Sequence, residues 1–341
     1  MTLNSKQSKN RSISRLTIIA IGLMIFVGGF IIFLDRKQVG QLAVKANWSY
    51  LALALGFIAV SYVLSSIGTV VISRVFGIET NAGYLMKLGF VTNVLSNLIA
   101  LPASLALRML LLGDRGVNQS QVVGSSLLLS YFKNLVFFTL IPISLVYIIF
   151  SYPLAFGGRA VMLLVIVILI VAITIATVII FSSGIRSFVL KILSRVWRFL
   201  TRRSIEAPLH DFGEAVTRGI IELRQKPRFS LLLALSVIGE VAAMISALFF
   251  CFKALAIPVH LGVLITGFNF GITLTVISLI PGDIGVQEAS IAGILAIFGV
   301  PFSQGVVGAI LFRVIYYFVP FILSLGFYWN LLREKQAKPV N

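Results

Sequence analysis

The chain has 341 residues, of which 59% are hydrophobic and only 11% charged, with a formal net charge of +17. That balance excludes an ordinary soluble globular domain, in which about a quarter of residues are charged, and indicates a polytopic membrane protein. Several charge-free windows reach the ~20 residues a helix needs to cross the hydrocarbon, and no strand-like alternation suggests a barrel, so the expected fold class is all-α.

Residues 1–15 are polar and basic, with Lys6, Lys9, Arg11 and Arg15. The apolar run Leu16 to Leu34 comes next; it is longer than a signal-peptide core and ends in Asp35-Arg36-Lys37, which predicts an uncleaved first helix. A second span is expected from about Ser49 to Ile72. Residues 82–112 are apolar but interrupted by Lys87, Asn93, Asn97, Pro102, Ser104 and Arg108. This pattern fits a helix pair that enters the membrane and turns back at Pro102, with a surface amphipathic helix as the alternative. Gln121 to Phe150 reads as a long helix carrying Lys133 in its middle, and Ala160 to Phe181 as a charge-free return.

The loop 183–229 holds ten Lys or Arg and four acids. Lys191, Arg195, Arg198 and Arg202 recur in it at helical spacing, opposite Ile192, Val196, Phe199 and Leu200, which describes a helix on an anionic membrane surface; a solvated linker is the competing reading. Phe229 to about Phe252 is the next crossing, with Glu240 inside it. Leu261 to Ile280 and Val286 to Phe298 flank the sequence Pro-Gly-Asp-Ile-Gly at 281–285, and the second arm is too short to span. Gly305 to Leu332 is the last crossing, with Arg313 about two turns in. The count is about six full transmembrane helices plus two re-entrant broken-helix pairs.

If both termini are cytoplasmic, the inner segments hold 21 of the 28 basic residues and the outer segments hold Arg36, Lys37, Lys45, Arg159 and Lys253. Lys133 and Arg313 are left in the membrane. This bias predicts an integral protein of the plasma membrane with both ends inside. It also accounts for the positive charge without nucleic acid, for which no recognition motif is present. Cys251 is the single cysteine and has no internal disulfide partner. His210 and His260 lack companions at ligand spacing, and no GxxxxGK[ST] run is present, so neither a metal, a cofactor nor a P-loop ATPase is expected.

The break at 281–285 is the most informative stretch. Proline lacks the amide donor and glycine frees the backbone, so no helix passes through unbroken. At membrane depth, broken backbone is tolerated only beside protein or a water-filled cavity. Pro281, Gly282, Asp283, Gly285 and Glu288, with Arg313, Tyr316 and Tyr317, are therefore candidate substrate-binding residues. Lys133 and Arg108 join them as cations for a phosphate, arginine being suited to bidentate contact. Asp283 and Glu288 are placed to hold Arg313 or to meet an amino group. Glu240 is the candidate for carrying a coupling proton, because desolvation favours a neutral carboxyl. For each of these charges the structural alternative is an ion pair that closes a helix contact.

The segments 49–150 and 229–332 share the series span, broken pair, long helix with an embedded cation. Their linkers also align: Gly116-Val117-Asn118-Gln119-Ser120-Gln121-Val122-Val123 matches Gly299-Val300-Pro301-Phe302-Ser303-Gln304-Gly305-Val306 at five of eight positions. Three crossings separate the two broken pairs, so they enter from opposite sides, which makes an inverted repeat with a site at the midplane.

At Pro281-Gly282-x-x-Gly285-x-x-Glu288, then Gly299-Val300 and Arg313-x-x-Tyr316-x-x-x-Pro320, the chain resembles the flippase-like family typified by the transmembrane region of lysylphosphatidylglycerol synthase. Asp283 stands where that family often has glycine. The resemblance implies a membrane domain that moves a lipid with a polar head group between leaflets, or handles lipid-linked substrates, with membrane lipids, anionic phospholipid foremost, as its partners. It implies no aminoacyl transfer, since the soluble synthase domain is missing from this sequence. A membrane-embedded enzyme acting on lipid-linked substrates and a secondary transporter of a small anion are the competing classes. The oligomeric state, a homo-oligomer included, is left open.

Overall fold

The computed structural model describes residues 46–98, 101–153, 156–201, 206–278 and 285–336. The expected first span, 16–34, lies outside them, as do Pro281, Gly282 and Asp283. In chain order the helices are α1 (Trp48–Val75), α2 (Ala82–Leu98), α3 (Leu101–Gly113), α4 (Gln119–Ser151), α5 (Phe156–Phe181), α6 (Ser183–Thr201) and α7 (Glu206–Gln225). They continue with α8 (Pro227–Ala254), α9 (Leu261–Ser278), α10 (Val286–Ile297) and α11 (Phe302–Arg313), a π-helical turn (Val314–Phe318) and α12 (Val319–Gln336). No strand occurs among the described residues. Five of these helical stretches, α1, α4, α5, α8 and the continuous run from α11 into α12, are long and apolar enough to cross a membrane. The protein is an all-α polytopic membrane protein.

The centre of the fold is the packing of α1 on α8. Helices in lipid gain little from burying apolar surface against each other, so small residues that allow close approach carry the association. α1 buries Ser61, Ser65, Ser66, Gly68, Thr69 and Ser73. Several of these hydroxyls are satisfied within the helix: Ser66 donates to the Tyr62 carbonyl at 2.8 Å and Ser73 to that of Thr69 at 2.7 Å. At the crossing, a Cβ on Gly68 would come within 3.1 Å of Ser236 Oγ in α8. α2 lies against the same helix, where Gly89 faces Thr69 and the Ser66 backbone.

Local signals explain the element boundaries. Asn118 caps α4 by accepting the Ser120 amide at 2.9 Å. Pro227 opens α8, where its missing amide costs nothing. Pro102 likewise sits in the first turn of α3, and α2 has ended at Leu98. Along the two proline-interrupted stretches the described helices are α2 and α3, and α9 and α10, each packed on its mate. Gly116 and Gly299 both have positive φ, 76° and 88°, so the two aligned linkers make the same kind of turn ahead of α4 and α11. In contrast, α5 is apolar on every side and buries Ile166 alone, as a helix facing lipid does.

The segment 183–229 differs from its sequence reading. The amphipathic stretch is present as α6, with Phe188, Ile192, Trp197 and Phe199 exposed. The remainder is another helix rather than a linker: α7 packs on α4 and inserts Ala215, Val216, Ile220 and Leu223 into the core around Phe76. Those apolar positions recur at helical spacing but are diluted by Arg218, Glu222 and Arg224, which hid them in a charge-rich loop.

Candidate functional site

Arg313 ends α11 and is buried, and the next five residues widen into the π turn, a device that recurs at functional positions in helices. Its guanidinium is held from two sides. Arg313 Nε lies 2.5 Å from Glu288 Oε1, and its Cζ sits 5.2 Å from the centre of the Tyr317 ring. Glu288 is fixed in turn by the start of its own helix. Gly285, at φ 84°, is the N-cap of α10, and its amide donates to Glu288 Oε2 at 2.9 Å. One carboxylate thus caps a helix with one oxygen and neutralises a buried arginine with the other. Beside it, Tyr317 Oη donates to Gln287 Oε1 at 3.3 Å.

Lys133, in the middle of α4, is paired as well. Its ammonium donates to Glu240 Oε1 at 2.8 Å, Ser65 Oγ at 2.7 Å and Asn93 Oδ1 at 3.4 Å. One α4 cation therefore ties together α8, α1 and α2. The second oxygen of Glu240 and the Asn93 amide nitrogen are buried without a partner among the described residues.

Between the two ion pairs lies a third, hydrogen-bonded group, which touches the first through shared helices and the second through ring contacts. Ser65 and Tyr62 are one turn apart on α1, and Asn93 and Asn97 one turn apart on α2, so each helix presents one residue to each cluster. Asn97 Nδ2 donates to Tyr62 Oη at 3.3 Å and to Tyr316 Oη at 3.2 Å, and Tyr62 Oη donates to the Tyr316 carbonyl at 3.0 Å. The Tyr316 ring is stacked on Phe312 and meets Tyr317 edge to face, which leads to Arg313. The result is one polar layer running through α1, α2, α4, α8, α10 and the π turn.

Arg108 stands apart. It is 5% exposed, one turn after buried Ser104 on α3, and its Nε and Nη2 have no hydrogen-bond partner among the described residues. Of the candidates from sequence, Gly285, Glu288, Arg313 and Tyr317 form one cluster, Lys133 and Glu240 form the second, and Tyr316 links them. Pro281, Gly282 and Asp283 lie outside the described residues. Tyr62, Ser65 and Gln287 were missed; a tyrosine and serine three apart on an apolar helix, and a glutamine beside Glu288, were the available signals. Asn93 and Asn97 were visible as interruptions of an apolar run, but their partners were not.

Fold and site together define a multi-pass helical membrane protein with an ion-paired polar layer inside it. The sequence profile of the family described as Lysylphosphatidylglycerol synthase TM region matches residues 18–324, and the chain belongs to that family. The match is to the transmembrane region that the family's description names. Among curated proteins, none matches the chain.

Proposed function

We propose that this protein moves a phospholipid, or another lipid with a polar head group, between the leaflets of the plasma membrane. The observation that carries the reading is the polar layer itself. A head group crossing the hydrocarbon needs continuous polar contacts enclosed by protein, while its tails stay in lipid. The neighbouring groups of Lys133, Glu240, Asn93 and Ser65, of Tyr62, Asn97 and Tyr316, and of Tyr317, Arg313 and Glu288 offer polar contacts of that kind, and both cations are neutralised, which lowers the cost of keeping them there.

The two short helix pairs are read as re-entrant arms of an inverted repeat. Supporting this, α3 and α10 have 13 and 12 residues, short of the ~20 needed to span, and the two linker glycines share a positive φ. The excess of Lys and Arg in the segments 1–15 and 183–229 supports cytoplasmic termini. Glu240, with one oxygen on Lys133 and the other without a partner among the described residues, is the group proposed to exchange a coupling proton.

The test is a leaflet-resolved assay of labelled phospholipid in proteoliposomes. Wild type is expected to transfer the label, and Arg313→Ala and Glu288→Gln to lose most of that transfer. Wild-type rates in both variants would remove the mechanism.

A further inference from the structure

Three cations lie among the membrane helices, Arg108 and Arg313 buried and Lys133 half-buried. Two have carboxylates of their own, Lys133 with Glu240 and Arg313 with Glu288. Glu240 and Glu288 are the acids that α8 and α10 carry. Arg108 has none, and no acidic side chain is within ion-pair distance of it among the described residues. We infer that Arg108 is the anchor for an oxyanion, the phosphate of a lipid head group, and that Lys133 and Arg313 are positioning residues held by their own acids.

An isolated buried guanidinium is costly, and in folded proteins a buried donor without an acceptor calls for an explanation. Arginine stays protonated in proteins, so losing its proton offers no relief. Arg108 leaves Nε and Nη2 open together. That pair forms one edge of the guanidinium fork, the edge that meets two oxygens of a phosphate side by side. The surroundings hold this edge in place: on α3, Leu111 and Leu112 are fully buried and Leu107 and Met109 pack against the same core. A second helix fixes the turn after it, since Tyr84 Oη of α2 donates to the Leu111 carbonyl at 3.3 Å. The other two cations could take a phosphate only by giving up a carboxylate already in contact. Arg108 gives up nothing.

This inference rests on the lipid-translocation reading for the source of the anion, and free phosphate shares the same chemistry. Binding is therefore measured on the purified full chain in neutral detergent by native mass spectrometry. Three probes are used: dihexanoylphosphatidylglycerol, inorganic phosphate, and dihexanoylglycerol, which has the tails without the phosphate. The phosphatidylglycerol probe is expected to bind wild type, with a half-saturation concentration at least tenfold higher in Arg108→Gln and intermediate in Arg108→Lys, which keeps the charge and loses the fork. Dihexanoylglycerol is expected not to compete. Equal or tighter binding of inorganic phosphate overturns the lipid as the source, and unchanged half-saturation in both variants overturns the site. Because Arg108→Gln can fail to fold, wild type with 15Nε-labelled arginine is titrated in parallel. One buried Nε–H resonance, absent in Arg108→Lys, should shift with the phosphate-bearing lipid and not with dihexanoylglycerol; no shift overturns the assignment. Binding without leaflet transfer would leave the Arg108 site standing and remove the translocation reading, whereas transfer without Arg108-dependent binding would do the reverse.

Discussion

Lys133 of α4 and Glu240 of α8 form an ion pair at 2.8 Å, with side chains 19% and 7% exposed. The pair also anchors Ser65 and Asn93, so it fixes how four helices meet. Removing one member leaves the other charge buried and uncompensated, which costs far more than removing both. Glu240→Gln is expected to lower stability by roughly 3–5 kcal/mol, and the double change Lys133→Met with Glu240→Leu to recover most of it. Thermal unfolding of the purified variants checks this. A double variant as unstable as the single one would show that the ammonium is needed for its bonds to Ser65 and Asn93 rather than for its charge.

Gly285 holds the second pair through its backbone. At φ 84° it adopts a conformation that side chains resist, and a Cβ there would meet nothing within 4 Å, so Gly285→Ala tests the backbone alone. The strain is worth about 1–3 kcal/mol. Because the Glu288 carboxylate accepts the Gly285 amide, relaxing that strain pulls the carboxylate away from Arg313. The expected outcome is a modest loss of thermal stability together with a larger proportional loss of lipid transfer. Loss of stability with transfer intact would separate the cap from the function.

The element pattern was legible because hydropathy reports directly on which stretches avoid water. α1, α4, α5 and α8 fall within a few residues of their expected bounds, and both broken pairs coincide with proline in an apolar run. The buried charges were legible for the same reason, since Lys133, Glu240 and Arg313 stand out in apolar windows. Their pairing was not. Lys133 and Glu240 are 107 residues apart, and Asn97 and Tyr316 are 219 apart, so only tertiary packing decides who meets whom. α7 was lost for the opposite reason: its core positions Ala215, Val216 and Ile220 are separated by enough charge to resemble a solvated loop.

Gly305 and Gly293 make a contrasting pair on adjacent helices. A Cβ on Gly305 would lie 2.7 Å from the Ala292 Cα, a backbone atom that cannot step aside, whereas a Cβ on Gly293 would meet nothing within 4 Å. Gly305→Ala should therefore push α11 off α10 and cost about 1–3 kcal/mol, the range for overpacking a close contact. Gly293→Ala, in a helix interior with open space beside it, should gain roughly 0.5–1 kcal/mol. Opposite signs in thermal unfolding are the expected result; two losses would mean that Gly293 faces a neighbour when the protein sits in lipid.

Arg186 decides whether α6 stays docked. It lies outside the spans, buried at the start of a largely exposed amphipathic helix, and it donates to the Ile180 carbonyl and to Thr217 Oγ1 of α7. Burial among Leu127, Leu128, Phe212 and Val216 lowers its pKa from the ordinary arginine value. For a cation with a lowered folded pKa, the unfolded chain holds the proton more firmly, so its contribution to stability rises only as pH climbs past that folded value. Arginine remains protonated near neutrality, so docking should show no pH dependence there from this residue. Arg186→Ala removes both bonds and should speed amide exchange along 183–201 by several-fold while α8 and α1 keep their protection. Exchange in α6 equal to wild type would mean that Phe188, Trp197 and the lipid surface hold the helix without its buried arginine.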